Sequence, residues 1–268
     1  KEYRNFIHLG KMDYLYDKVE TYDKLKDIIQ GRALPDGLSD IQNGMADIEH
    51  HMLHFLDNHD EQRLASPEFA GTPQKGKPLM VVSTTISTSP TMVYFGQEVG
   101  EAGNENAGFG THSRTSIFDY IGVPNHQRWM NGGKFDGGQL TQEEKELRDF
   151  YKRILNFSLN STALMGEYQE IQTVNRQTTQ GYDPGIYAFT RWSDTQKLVI
   201  VTNFSWLSTS NFELKIPSEI IRKWNLKDGN YTVTDQLYNK SSVQLQVLNG
   251  EGKAQITIAP SESFIYQL

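Results

Sequence analysis

The chain has no cysteine, which removes disulfides, thiolate metal sites and cysteine nucleophiles. It also has no surplus of positive charge, since 26 Lys and Arg against 33 Asp and Glu leave a formal net charge of -7. Without a basic stripe, nucleic acid is not an expected partner, and neutral ligands fit better. No apolar run approaches the length of a membrane span, and Lys1-Glu2-Tyr3-Arg4-Asn5 does not read as a signal peptide, so neither a membrane nor a compartment is assigned. A phosphate-binding loop is missing too: Gly100-Glu101-Ala102-Gly103 is rich in glycine, but no Lys-Ser/Thr follows it.

What is present is a globular composition. With 37% hydrophobic and 22% charged residues over 268 positions, the chain can build a sizeable core, and its length suits two domains. The first part alternates apolar runs with helical patterns, the mark of βα units. Strands are expected at Met12–Tyr16, Met52–Leu56 and Thr91–Gly96. Helices are expected at Thr21–Gln30, closed by Gly31, at Ser39–Glu49 with Ser39 as N-cap, and at Lys77–Ser87 with Pro78 near its start. Thr141-Gln142-Glu143-Glu144 is a capping box, and Leu147, Phe150, Tyr151, Ile154 and Leu155 follow at helical spacing.

From about Gly166 the period becomes alternating. Val243, Leu245 and Val247, and then Ala254, Ile256 and Ile258, each share one strand face, with Gln244, Gln246, Gln255 and Thr257 on the other. Turn signals at Asp183-Pro184-Gly185, Asp228-Gly229-Asn230 and Asn249-Gly250 predict an antiparallel β-sandwich of about seven or eight strands. The expected domains are residues 1–166 and 167–268.

The segment with most chemistry is Phe55-Leu56-Asp57-Asn58-His59-Asp60-Glu61-Gln62-Arg63, an apolar strand ending in ionisable groups. An α/β barrel keeps its active site at such strand ends, and carboxylates there can steady a cationic glycosyl transition state. In a parallel barrel the loop after Thr91–Gly96 shares that face and adds Glu98 and Glu101. His50, His51 and His54 span a helix end and a strand rather than one helix face, so no metal site is expected. Tyr14, Tyr16, Tyr94, Phe109, Phe118, Tyr120 and Trp129 fall in or near the loops, where aromatic faces can stack on sugar rings or simply pack.

These residues resemble the α-amylase family of retaining glycoside hydrolases. Phe55-Leu56-Asp57-Asn58-His59-Asp60 resembles the family's barrel strand seven, Tyr94-Phe95-Gly96-Gln97-Glu98-Val99-Gly100 its strand eight, and Phe6 to Lys18 its strand six. Asp228-Gly229-Asn230-Tyr231-Thr232-Val233-Thr234-Asp235-Gln236-Leu237 resembles its C-terminal domain. The resemblance implies the C-terminal portion of a (β/α)8 TIM barrel (strands six to eight, residues 1–166) followed by an antiparallel β-sandwich domain (residues 167–268).

By the same resemblance, Asp60 is the third carboxylate of the catalytic trio, the transition-state stabiliser. His59 binds the same sugar, with Asn58 and Arg63 as supporting members of the substrate-binding set. The family's nucleophile on strand four and general acid on strand five have no counterpart, and no Gly-x-Arg-x-Asp occurs in the 268 residues. The expected partner is an α-glucan such as starch or a maltooligosaccharide, met by retaining hydrolysis in the full-length protein, with the isolated chain inactive. A transglycosylase or α-glucoside isomerase of the same family, a non-catalytic carbohydrate-binding fragment, and a structural protein are the alternatives. No cofactor is expected in this chain, whereas the resemblance allows Ca2+ in the full-length enzyme and favours a secreted or cell-envelope location. Three strands out of eight leave open edges, so self-association through the incomplete barrel is expected.

Overall fold

A computed structural model describes residues 2–104, 114–115, 123–238 and 241–268. Three short strands, β1 (Leu15–Tyr16), β2 (Met52–Phe55) and β3 (Thr91–Met92), pair in parallel in the order β1-β2-β3. The parallel βα pattern is therefore present, but each ladder is shorter than its apolar run. β1 and β3 each have one neighbour, and Gly96 at φ +84 already leads into a 3-10 turn at Gln97–Val99.

The helices lie near their expected places with shifted starts. α1 spans Glu2–His8. The segment read as Thr21–Gln30 begins earlier, as a π turn at Lys18–Tyr22 in which the Asp17 carboxylate accepts from Thr21 N, and continues as α2 (Asp23–Ile29). Gly31, at φ +73, ends it as expected. α3 (Gly37–Met45) starts two residues before Ser39, whose hydroxyl is not a cap: it lies 3.1 Å from the Tyr187 hydroxyl. α4 (Pro73–Thr85) starts at the Thr72 cap, which accepts from Lys75 N, so Pro78 lies inside the helix. α5 spans Pro124–Met130 and α6 Gln142–Asn160. The capping box of α6 forms in full, and Leu147, Phe150, Tyr151 and Ile154 are its buried stripe.

The second part is β4 (Glu167–Glu170), α7 (Gln172–Thr178), β5 (Ile186–Trp192), β6 (Lys197–Asn203), β7 (Ser210–Ile216), α8 (Ser218–Lys223), β8 (Gly229–Asp235), β9 (Ser242–Leu248), β10 (Glu251–Ile258) and β11 (Ser263–Gln267). Its strands pair antiparallel in the order β4-β5-β6-β11-β8-β9-β10-β7. The Asn249-Gly250 turn closes the β9–β10 hairpin with both residues at positive φ, and the Asp228 carboxylate accepts from both their amides. The sheet curls over itself, so that Ile186, Ala188, Val199 and Val201 share one core with Phe212, Leu214, Ile256 and Ile258. Its two layers stay joined where β11 meets β8, at Tyr266↔Asp235 and Gln267↔Thr234.

Alternation fails in β5, where every residue is buried. Tyr187 and Phe189 face away from the curled core and pack with Leu79, Val82, Phe150 and Ile154 of the first part. Arg191, also fully buried, donates from Nη1 to Ile86 O (2.7 Å) and from Nη2 to Leu164 O (2.6 Å). It thereby satisfies the carbonyl at the C-cap of α4, and burial pulls its pKa down to about 10. One apolar core thus runs across both parts.

Candidate functional site

β2 ends at Phe55, and Asp57 and Asn58 turn the chain beneath the surface while His59 and Asp60 stay outside it. The turn is fixed from within. Asn58 Oδ1 accepts from Asp60 N and Glu61 N, each at 2.8 Å, an arrangement that asparagine favours because its side chain can replace a backbone carbonyl. Asp57 Oδ1 accepts from Leu64 N at 2.5 Å, and Asp57 Oδ2 lies 3.2 Å from Arg63 Nη1.

Arg63 is 0% exposed, so it acts below the site. Its Nε donates to Thr115 Oγ1 at 2.7 Å and its Nη1 to Phe95 O at 2.7 Å. The rings of Tyr94 and Phe95 flank the guanidinium, with centroids 4.5 and 4.9 Å away. One cation therefore ties the turn after β2 to the end of the next strand segment and to the loop at 114–115. Burial pushes the Asp57 carboxyl up to about 6, against the opposing pull of Arg63.

On the surface, Asp60 stands between an imidazole and a guanidinium. Its Oδ2 is 3.3 Å from His59 Nε2 and its Oδ1 is 3.6 Å from Arg114 Nη2, with the Asp60 side chain 67% exposed. A carboxylate so placed can accept hydrogen bonds from sugar hydroxyls and oppose positive charge on a glycosyl carbon. The structure thus brings His59 and Asp60 together at the surface and sets Asn58 and Arg63 underneath. Sequence reasoning missed Arg114 and Thr115, because no local pattern links Arg63 to a residue 52 positions away.

The other residues named from the sequence have different surroundings. Glu101 is buried, and its Oε2 accepts from Asn125 N and His126 N at the start of α5; Glu98 is half-buried in the 3-10 turn. Tyr14 and Tyr16 are exposed, and Trp129 stacks on His126. Phe109, Phe118 and Tyr120 lie outside the described residues. His54 is buried between Ser83 O (2.8 Å from Nδ1) and Asp17 Oδ2 (3.4 Å from Nε2), and His51 Nδ1 meets Asp13 O. No cluster of three or more His, Asp or Glu that could hold a metal ion occurs among the described residues. No helix among them is long and apolar enough to cross a membrane.

No protein-family model matches the chain, and no curated protein matches it. Solved structures do match in fold. The chain resembles a noncanonic maltogenic α-amylase, AmyB, from Thermotoga neapolitana, with a TM-score of 0.64 and 17% identity over 96% of this chain and 50% of that one. It also resembles AmyP solved in complex with maltotriose (TM-score 0.64, 18% identity, 95% of this chain and 50% of that one). A γ-CGTase from alkalophilic Bacillus clarkii is a third (TM-score 0.64, 13% identity, 100% of this chain and 34% of that one). The chain thus has the fold found in part of α-amylase-type enzymes, the closing βα units of a barrel with an all-β domain after them. It spans half or less of the length of these three solved chains.

Proposed function

We propose that these 268 residues are the closing part of an α-amylase-type glycoside hydrolase that acts on α-glucans such as starch or maltooligosaccharides by retaining hydrolysis. The observation that carries this reading is the Asp60 carboxylate, exposed on a turn held from below by Asn58 and Arg63 and flanked by His59 and Arg114, in a chain with this fold. In this reading Asp60 stabilises the oxocarbenium-like transition state, His59 binds the same sugar ring, and Asn58 and Arg63 position them. The nucleophile and general acid belong to segments outside this chain. A transglycosylase or α-glucoside isomerase of the same family is the alternative, and loop detail decides between them.

The 268-residue chain alone is expected to release no reducing ends from a maltooligosaccharide, because a double displacement needs a nucleophile and an acid and Asp60 supplies neither. Release that Asp60→Asn abolishes would sink this account.

A purely carbohydrate-binding role for the β-domain is less well supported. Its exposed sheet face carries Asn211, Glu213, Gln244, Gln246, Gln255 and Thr257, with no exposed large aromatic on that face among the described residues. The first part has a different surface. β1 and β3 are both edges, and Phe6, Leu9, Tyr14, Tyr16 and Val19 are between 42% and 79% exposed. Exposed apolar side chains beside an unpaired strand favour association. Sedimentation of the isolated chain is expected to show a concentration-dependent rise in mass, and a single monomeric species up to high concentration would count against it.

A further inference from the structure

α2 and the π turn before it present one face to the turn at 57–63. Lys18, Tyr22 and Lys26 recur every four residues and so share that face, and all three reach the turn. Tyr22 donates from its hydroxyl to Glu61 Oε2 at 3.2 Å, Lys18 Nζ lies 3.5 Å from Glu61 Oε1, and Lys26 Nζ donates to Gln62 Oε1 at 2.9 Å. Two of the three contacts converge on Glu61.

This face is anchored to the strand that the turn follows. Asp17, fully buried, donates from its backbone N to Leu53 O of β2 at 3.0 Å and accepts from Thr21 N on Oδ1 at 3.1 Å, which keys the π turn to β2. Tyr22 is buried, its ring stacked on Phe55 at the end of β2 with centroids 4.8 Å apart and set edge-on to Phe69. Burial, with Glu61 beside it, pushes the Tyr22 hydroxyl well above its ordinary pKa, so it keeps its proton and stays a donor. Of the two contacts to the Glu61 carboxylate this one counts for more. It is a charge-assisted hydrogen bond from a buried, packed ring, whereas the Lys18 ammonium is partly exposed and shared with Asp23 at 2.6 Å.

Glu61 also closes the Asn58 turn, because its backbone N is one of the two amides bonded to Asn58 Oδ1, and the other belongs to Asp60. The side chain and backbone of one residue thus connect α2 to the turn that carries Asp60. The opposite side of the turn is held separately, by Arg63 to Phe95 O and by Asp57 to Leu64 N. With the Asp60 side chain 67% exposed, its direction is set by these anchors more than by its own contacts.

We propose that Glu61 is a positioning residue: held by Tyr22 and Lys18, it orders the turn after β2 and fixes the direction of the Asp60 carboxylate. That Asp60 serves turnover rests on the proposed function, whereas the ordering of the turn rests on these contacts alone. Glu61 touches no reacting atom in this role.

Hydrogen exchange of the 268-residue chain, followed amide by amide by NMR, reads the ordering directly. Glu61→Ala is expected to speed exchange at the amides of positions 60 and 61 by about tenfold after correction for intrinsic rates. Leu64 N, held by Asp57 on the far side of the turn, and Ile265 N, held by Asp235 in the β-domain, should keep their rates. Tyr22→Phe removes the hydroxyl and keeps the ring; it is expected to give the same pattern, and it decides the matter if Glu61→Ala does not fold. Glu61→Gln, whose amide oxygen can still accept from Tyr22, is expected to restore slow exchange. Unchanged exchange at 60 and 61 in Glu61→Ala overturns the inference, and so does equal acceleration at Leu64 and Ile265, which would mark a general loss of stability. If the proposed function holds, Glu61→Ala in the complete glycoside hydrolase should also lower kcat about tenfold with little change in KM, and Glu61→Gln should recover most of that loss. A large drop in kcat for Asp60→Asn beside an unchanged kcat for Glu61→Ala overturns the positioning role and leaves the proposed function standing. An unchanged kcat for Asp60→Asn overturns the proposed function and the catalytic purpose of the tie with it, while the exchange rates still decide whether Glu61 orders the turn.

Discussion

Replacing Arg63 with methionine is expected to lower the chain's stability by about 3 to 5 kcal/mol, the usual consequence of removing one partner of a buried ion pair. The loss should be larger at pH 8 than at pH 5. Arg63 is the only cation that contacts the buried Asp57 carboxylate among the described residues, and it also satisfies Phe95 O and Thr115 Oγ1. The Asp57 carboxyl is already pushed up to about 6 by burial, above the ordinary aspartate value of about 3.9. Between those two values the folded state holds a proton that the unfolded state has released, so stability from this group falls as pH rises through the window and levels off above it. Removing Arg63 lifts the folded value further and extends the fall to higher pH. Urea unfolding of both proteins at the two pH values measures this, and an equal loss at both would show that the charge on Asp57 is not the cause.

If the proposed function holds, Asp60→Asn in the complete glycoside hydrolase is expected to reduce kcat by about 10²- to 10³-fold, or about 2.7 to 4 kcal/mol, with a much smaller change in KM. The physical reason is geometric. The carboxylate sits on a turn whose backbone is held by Asn58 Oδ1, so in the proposed role its charge need not reorganise as positive charge develops on a sugar. Its contacts with His59 and Arg114 are longer than 3 Å and its own side chain is 67% exposed, which keeps those contacts weak and leaves the oxygens open to hydroxyl groups. Asparagine keeps the shape and removes the charge. Unchanged kcat with a raised KM would make Asp60 a ground-state binding residue and nothing more.

Several elements could be read directly because their causes are local. The capping box at Thr141 and Glu144 and the stripe from Leu147 to Ile154 are specified within a single helix, and the Asn249-Gly250 hairpin needs only two residues that accept positive φ. Ser39 is instructive in the other direction. A serine before an apolar run is a reasonable cap, but here its hydroxyl meets Tyr187 from a distant strand, and the helix begins earlier. A side chain with one hydroxyl goes to the partner that the folded core presents, and a local pattern cannot show that partner.

The same division runs through the candidate site. Asp57-Asn58-His59-Asp60 at the end of an apolar strand is enough to place a carboxylate and an imidazole on adjacent residues, and the turn held by Asn58 Oδ1 then sets their side chains 3.3 Å apart. Period-2 and period-3.6 patterning likewise marks β9, β10 and α6, because each buries one face, whereas β5 is buried on both and shows no such period. Which polar residues lie inside is a different matter. Arg63 looks like any charged residue of a surface turn until Tyr94, Phe95 and Thr115 close around it, and Glu101 looks like a loop carboxylate until α5 begins on it. Those roles depend on contacts between segments far apart in the chain, where desolvation and hydrogen bonding are set by packing, and only the folded chain brings the segments together.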